Sequence, residues 1–164
     1  MYVGDIWLNG KKVGSNEYGY LGGEYDLTEH LDWGGRNVVA IRADNTLHSR
    51  WYTGGGLYRK VYLVVKEPVS IARHGVFVST PEITGRQASV KVQIELENLS
   101  GESRPVTVAA RLFCPAGKPV AKCNTSIQVR GISATSTMML NVSEPQLWST
   151  ETPDLYTAEV TVKD

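Results

Sequence analysis

The chain is predicted to be all-β, an incomplete jelly-roll sandwich followed by an immunoglobulin-like β-sandwich. Three observations predict this. Short segments alternate apolar and polar residues with a period of two, clusters of Gly, Pro, Ser and Asn separate them, and nothing longer than a single turn reads as helix. The composition also breaks near residue 67. Residues 1–66 hold 11 of the 16 glycines, 10 of the 14 aromatic residues and no proline. Residues 67–164 hold all seven prolines and four aromatics, Phe77, Phe113, Trp148 and Tyr156. The break at Lys66-Glu67-Pro68 divides the chain into domains 1–66 and 67–164.

Five strands are expected in the first domain, in DIWLNG, KKVGSN, GEYDL, NVVAIRAD and RKVYLVV. The NGKK stretch between the first two is a tight hairpin turn. Asp26 is placed to cap one helical turn over Leu-Thr-Glu-His-Leu, with Gly34-Gly35 ending it. The chain opens inside an apolar strand, and NVVAIRAD is apolar on both faces. A jelly roll needs about eight strands. The amino-terminal strands are therefore expected to be missing, with the open edges needing cover from a second copy or a partner.

The second domain alternates cleanly. In SVKVQIELEN, Val90, Val92, Ile94 and Leu96 face one side, and Ser89, Lys91, Gln93, Glu95 and Glu97 the other. PVTVAARLFC places Val106, Val108, Ala110 and Leu112 on one face. TMMLNV does the same with Met138, Leu140 and Val142, and YTAEVTV with Tyr156, Ala158, Val160 and Val162. With RHGVFVS and TSIQVR this makes about six or seven strands in ~100 residues, the density of a small immunoglobulin-like sandwich.

Seventeen basic and seventeen acidic side chains cancel without a block of either sign, so no footprint for nucleic acid or an anionic membrane is present. Apolar runs are too short to span a bilayer. A hairpin around PAGKP sets Cys114 opposite position 119 or 120 rather than opposite Cys123, which favours two free thiols over a disulfide. His30, His48 and His74 are scattered, and no cluster has metal-ligand spacing, so neither a metal nor a cofactor is expected. His48 is read as an exposed loop residue. Asn98-Leu99-Ser100, Asn124-Thr125-Ser126 and Asn141-Val142-Ser143 match the N-glycosylation pattern and are read as chance matches in a Ser/Thr-rich β protein.

The stretch SRWYTGGGLYR runs directly into KVYLVV, and three consecutive glycines are costly in backbone entropy. Together with DIWLNGKKVGSNEYGYLGGEYDLTEHLDWGGRNVVAIRADN before it and VSEPQLWSTETPDLYTAEVTV at the far end, it resembles glycoside hydrolase family 2, the family of β-galactosidases, β-glucuronidases and β-mannosidases. The likeness covers essentially the whole chain. It runs through the later part of the family's sugar-binding (galactose-binding-like) jelly roll and the immunoglobulin-like domain that precedes the catalytic barrel.

The resemblance implies that the loop lies at the mouth of the barrel. Asn45, Ser49, Arg50 and Trp51 are then candidates to line the parent enzyme's substrate pocket. Gly54, Gly55, Gly56 and Arg59 are read as structural, the glycines forming a bulge and Arg59 bonding loop carbonyls. Where some β-galactosidases carry an aspartate that holds the sugar or a monovalent cation, this chain has Ser49, and a hydroxyl does not replace a charged ligand.

A retaining glycosidase needs two carboxylates about 5–5.5 Å apart, and in this family both are glutamates on barrel strands. That barrel is expected beyond Asp164, because this chain has neither the strand–helix alternation nor the roughly 250 residues of a barrel. Glu24 and Asp26 fit a sheet face and a helix cap, and Glu95, Glu97 and Glu144 read as surface charges. The resulting expectation is a non-catalytic accessory region whose partners are the parent's barrel, its carbohydrate substrate in that context, and a second copy through open edges. Two alternatives are a stand-alone carbohydrate-binding module and a β-sandwich adhesion or assembly protein. Core packing is the default for Trp7, Tyr25 and Tyr62, which counts against the module.

Overall fold

The structure, a computed structural model, describes residues 3–46 and 54–163. The chain folds as two compact units, Met1–Leu63 and Val64–Asp164.

The first unit contains an antiparallel sheet of β1 (Val3–Leu8), β2 (Lys11–Asn16) and β3 (Val39–Asp44) in the order β2-β1-β3. Asn9 and Gly10, at φ 52° and 81°, make the β1–β2 turn, because a two-residue hairpin whose twist matches its strands needs positive φ at both central positions. Asn9 also fastens the sheet to the loop before β3. Its Nδ2 donates to the His30 carbonyl at 3.1 Å and to Asn37 Oδ1 at 2.8 Å, while its Oδ1 accepts the Val38 N–H at 2.9 Å. Across the β1–β2 ladder, Asp5 accepts from Lys12 at 2.6 Å and Ser15 at 3.0 Å, and these two bonds hold its carboxyl below the usual aspartate range. Ile6 and Leu8 are the buried apolar side chains among the described residues of this unit.

Two expected strands do not form here. GEYDL is irregular, with the Tyr25 ring lying across Gly14 of β2, where a Cβ would meet it at 2.3 Å. RKVYLVV lies outside any sheet, and Val61, Tyr62, Leu63, Val64 and Val65 are 66–86 % exposed. β propensity favours a strand but does not supply the hydrogen-bonding neighbour that a strand requires. Tyr62, expected in the core, is therefore exposed, whereas Trp7 and Tyr25 are half-buried. Asp26 does not cap the turn as expected: the N-cap is Leu27, without a side-chain capping bond, and Asp26 stands one residue earlier, its Oδ1 accepting the Thr28 N–H at 2.9 Å and Oγ1 at 2.6 Å. The turn itself is one 3-10 turn, Thr28–His30, and the chain is already extended at Leu31, short of the Gly34-Gly35 pair.

The second unit is a sandwich of two three-stranded antiparallel sheets. β4 (Val69–Ile83), β5 (Gln87–Asn98) and β8 (Ser133–Ser143) form one, with β5 central. β7 (Pro119–Val129), β6 (Arg104–Phe113) and β9 (Thr157–Lys163) form the other, with β6 central. The alternation places Val90, Val92, Ile94 and Leu96 of β5 in one core with Val106, Val108, Ala110 and Leu112 of β6 and Met138, Leu140 and Val142 of β8. Tyr156, Ala158, Val160 and Val162 are half-buried against it. Lys66 Nζ and Ser70 Oγ donate to Glu97 at 2.8 and 3.1 Å, and the ammonium lowers its pKa; Glu97 is a paired charge rather than a free one. Cys114 and Cys123 are free thiols, since Phe113 pairs with Pro119 and Cys123 with Ala110.

Two of the three crossings between the sheets are held by one side chain. The chain leaves β5 for β6 after Asn98, and leaves β7 for β8 through Gly131 and Ile132. Asn98, 3 % exposed, donates through Nδ2 to the carbonyls of Glu102 at 2.7 Å and Gly131 at 3.1 Å. Its Oδ1 accepts the Ser100 N–H at 3.0 Å and Oγ at 2.6 Å. The nitrogen that a glycan would need is thus buried and committed. Asn98→Ala is expected to cost about 2–4 kcal/mol, because it removes a buried amide and all four of its hydrogen bonds. Asn98→Asp is expected to destabilise too, since it aims a carboxylate at the Glu102 and Gly131 carbonyls. Urea unfolding midpoints at constant m-value would measure both.

Candidate functional site

The candidate site begins where β3 ends. Asp44 is the last residue of that strand and pairs with Val3. Its Oδ1 accepts the Thr46 N–H at 2.9 Å and the Thr46 Oγ1 at 2.7 Å, a turn in which an aspartate replaces the next ladder bond. Its Oδ2 accepts from Arg42 at 3.1 Å. The backbone and side-chain bonds from Thr46, and then Arg42, hold the Asp44 carboxyl below the usual aspartate range. Asp44 therefore stays charged and aims the chain out of the sheet.

Asn45 sits exposed at this turn, with Gly55 alongside it, where a Cβ would lie 3.7 Å from the Asn45 amide nitrogen. The structure thus brings Asn45 together with the glycine loop. Ser49, Arg50 and Trp51, and also His48, lie outside the described residues. The three glycines are not equivalent. Gly56 has φ 91°, a conformation that costs a residue with a Cβ about 1–2 kcal/mol. A Cβ on Gly54 would meet nothing within 4 Å, and one on Gly55 would make ordinary contacts. One position requires glycine for its backbone; the other two leave the loop without side chains.

Among the described residues, Arg59 bonds no loop carbonyl. Its guanidinium stands 5.3 Å from the centroid of the Tyr58 ring, an exposed cation–π contact. The roles of Arg42 and Thr46 in holding Asp44 escape the sequence reading, although Asp-x-Thr at a strand end is a recognisable turn signal. Glu24 and Asp26 do not share a strand face, and Asp26 is engaged by Thr28, whose hydroxyl is the chief cause of its lowered pKa.

Residues 70–164, more than half of the chain, match the family model for glycosyl hydrolases family 2. The chain belongs to this family. A β-galactosidase of Bacteroides ovatus, BoGH2A, is 37 % identical over 93 % of this chain and 18 % of its own length. A β-glucuronidase of Formosa agariphila is 27 % identical over 99 % of this chain and 19 % of its own. The crystal structure of a family 2 member from Bacteroides cellulosilyticus superposes with a TM-score of 0.92 at 32 % identity, covering 98 % of this chain and 22 % of that one. The chain thus spans about a fifth of the length of these relatives and corresponds to an all-β region of them.

The depressed pKa of Asp44 has a definite pH signature. Its contribution to closing the turn is complete above the unfolded-state aspartate value of about 3.9 and is lost as pH falls through the lower folded-state value. Followed at the Thr46 amide by NMR, the titration midpoint is expected below that of an unstructured aspartate, and Thr46→Val is expected to move it up.

Proposed function

We propose that this chain is a non-catalytic accessory region of a family 2 glycoside hydrolase. In this reading its units support the catalytic barrel, and the loop after β3 shapes the approach to the substrate pocket. The observation that carries it is the match itself: nearly all of this chain aligns with about a fifth of enzymes named β-galactosidase and β-glucuronidase. The described residues form a three-stranded sheet and a six-stranded sandwich. In them Asp26, Asp44 and Glu97 are engaged in turns and ion pairing. Asn45 is the described member of the pocket wall in this reading, Ser49, Arg50 and Trp51 continue it in sequence, and Gly55 belongs to the structural loop beside it.

A second reading, a stand-alone carbohydrate-binding module, is favoured by exposed aromatics in the first unit. Tyr18 and Tyr20 lie with ring centroids 5.6 Å apart, and Trp33 is 76 % exposed. Such rings can stack on sugar faces. Calorimetric titration with galactosides, glucuronides and mannosides separates the readings, since millimolar or tighter affinity lost in Trp51→Ala favours the module.

Two outcomes test the accessory role. Purified chain is expected to release no chromophore from aryl β-galactosides or β-glucuronides; turnover abolished by substituting one of its own carboxylates would refute the proposal. The isolated chain is also expected to self-associate. Among the described residues β2 and β3 have open edges, and Val61–Val65 are exposed. Light scattering should give a mass that rises with concentration, and a monomer at high concentration would contradict this.

A further inference from the structure

We propose that the outer face of the β4-β5-β8 sheet carries a binding site for a single neutral hexose, built on a bulge in β4. The site lies wholly within the second unit and is separate from the loop after β3. Ile71 pairs with Leu96 and Val76 with Ile94, so that Ala72, Arg73, His74 and Gly75 all stand opposite Glu95. His74 takes φ 54°, uncommon for a residue with a side chain. Gly75 is pressed so closely onto β5 that a Cβ would lie 2.6 Å from the Glu95 carbonyl oxygen. Bulges of this kind re-aim side chains. Here the buckled strand leaves a shallow depression of about 310 Å³ whose walls include His74, Phe77, Gln93, Glu95 and Thr135.

The chemistry of these walls suits a pyranose. Phe77 is 62 % exposed on the solvent face, opposite Gln93 in register. It supplies a flat apolar ring against which the C–H face of a sugar can stack. Gln93 can donate and accept, Thr135 likewise, and the Glu95 carboxylate accepts, which matches the mixed needs of neighbouring hydroxyls. Among the described residues, none of these three side chains has a hydrogen-bond partner in the protein. Gln93 and Glu95 are two apart on β5, and Glu95 pairs with Thr135 of β8. With strands about 4.8 Å apart, the groups bracket an area about the size of one sugar ring. The Glu95 carboxylate would repel a uronate, so the site selects a neutral hexose.

The test uses the whole chain, isotopically labelled, titrated with methyl β-D-galactopyranoside, methyl β-D-glucopyranoside and methyl β-D-glucuronide at pH 7. Saturable shifts at the amides of Gly75, Phe77, Gln93 and Glu95, at millimolar Kd for at least one neutral glycoside, are expected. The glucuronide is expected to bind several-fold more weakly. Phe77→Ala should weaken binding about tenfold, Phe77→Trp should retain it, and Glu95→Gln should bring the glucuronide level with the neutral sugars. Spectral dispersion confirms that each variant is folded; should Phe77→Ala fail to fold, Gln93→Ala takes its place, with several-fold loss expected. Absence of saturable shifts with all three sugars, binding undiminished by the substitution at Phe77 or Gln93, or equal affinity for the glucuronide in the unsubstituted chain would overturn the proposal.

Discussion

The second unit depends on keeping two consecutive central strands in opposite sheets. β5 and β6 follow one another closely in the chain, yet each is the middle of a different sheet, and their inward residues form most of the shared core. The chain must therefore change sheets between Asn98 and Arg104, and again between Val129 and Ser133. Each crossing exposes carbonyls that no ladder can satisfy. Asn98 answers both at once: its amide reaches Glu102 in one crossing and Gly131 in the other. The core aligns the sheets, and this buried amide keeps the two corners together.

The first unit has no comparable centre. Its sheet buries Ile6 and Leu8 among the described residues, while Val38, Val39 and Ile41 on and beside β3 are exposed. Local hydrogen bonds carry much of its order, through Asn9 and Asn37 in one loop and Asp44 with Thr46 in the other. Such contacts fix the direction of a chain more readily than they stabilise a domain, because a net intramolecular hydrogen bond contributes only about 1 kcal/mol. The described start of the loop carrying the candidate pocket residues, at residues 44–46, is held by a charged turn. Family 2 relatives contain this region within chains about five times as long.

Much of the sandwich is legible because alternation is a local property. Val90 through Leu96 and Val106 through Leu112 can be assigned to an inner face without knowing their neighbours. The Asn-Gly turn can be assigned because few residues accept two positive φ angles in succession. RKVYLVV has the same strand-like composition and is not a strand here. The His74-Gly75 bulge escapes a period-two reading of β4, although a glycine interrupting the alternation is a usable signal. At the candidate site, the approach of Gly55 to Asn45 and the stacking of Arg59 on Tyr58 depend on the folded loop and have no local signature.

By itself the sequence determined the all-β class, the inward residues of the second unit, the free thiols and the family. Each follows from spacing or from short runs of residue types, which do not depend on what lies across the sheet. Only the tertiary structure decided which strand pairs with which, that one asparagine closes two of the three sheet crossings, and that β4 buckles to leave Phe77 facing solvent beside Gln93. These depend on partners brought together from distant positions, and a hydrogen-bonding edge or a buried amide acquires its role only when that partner arrives.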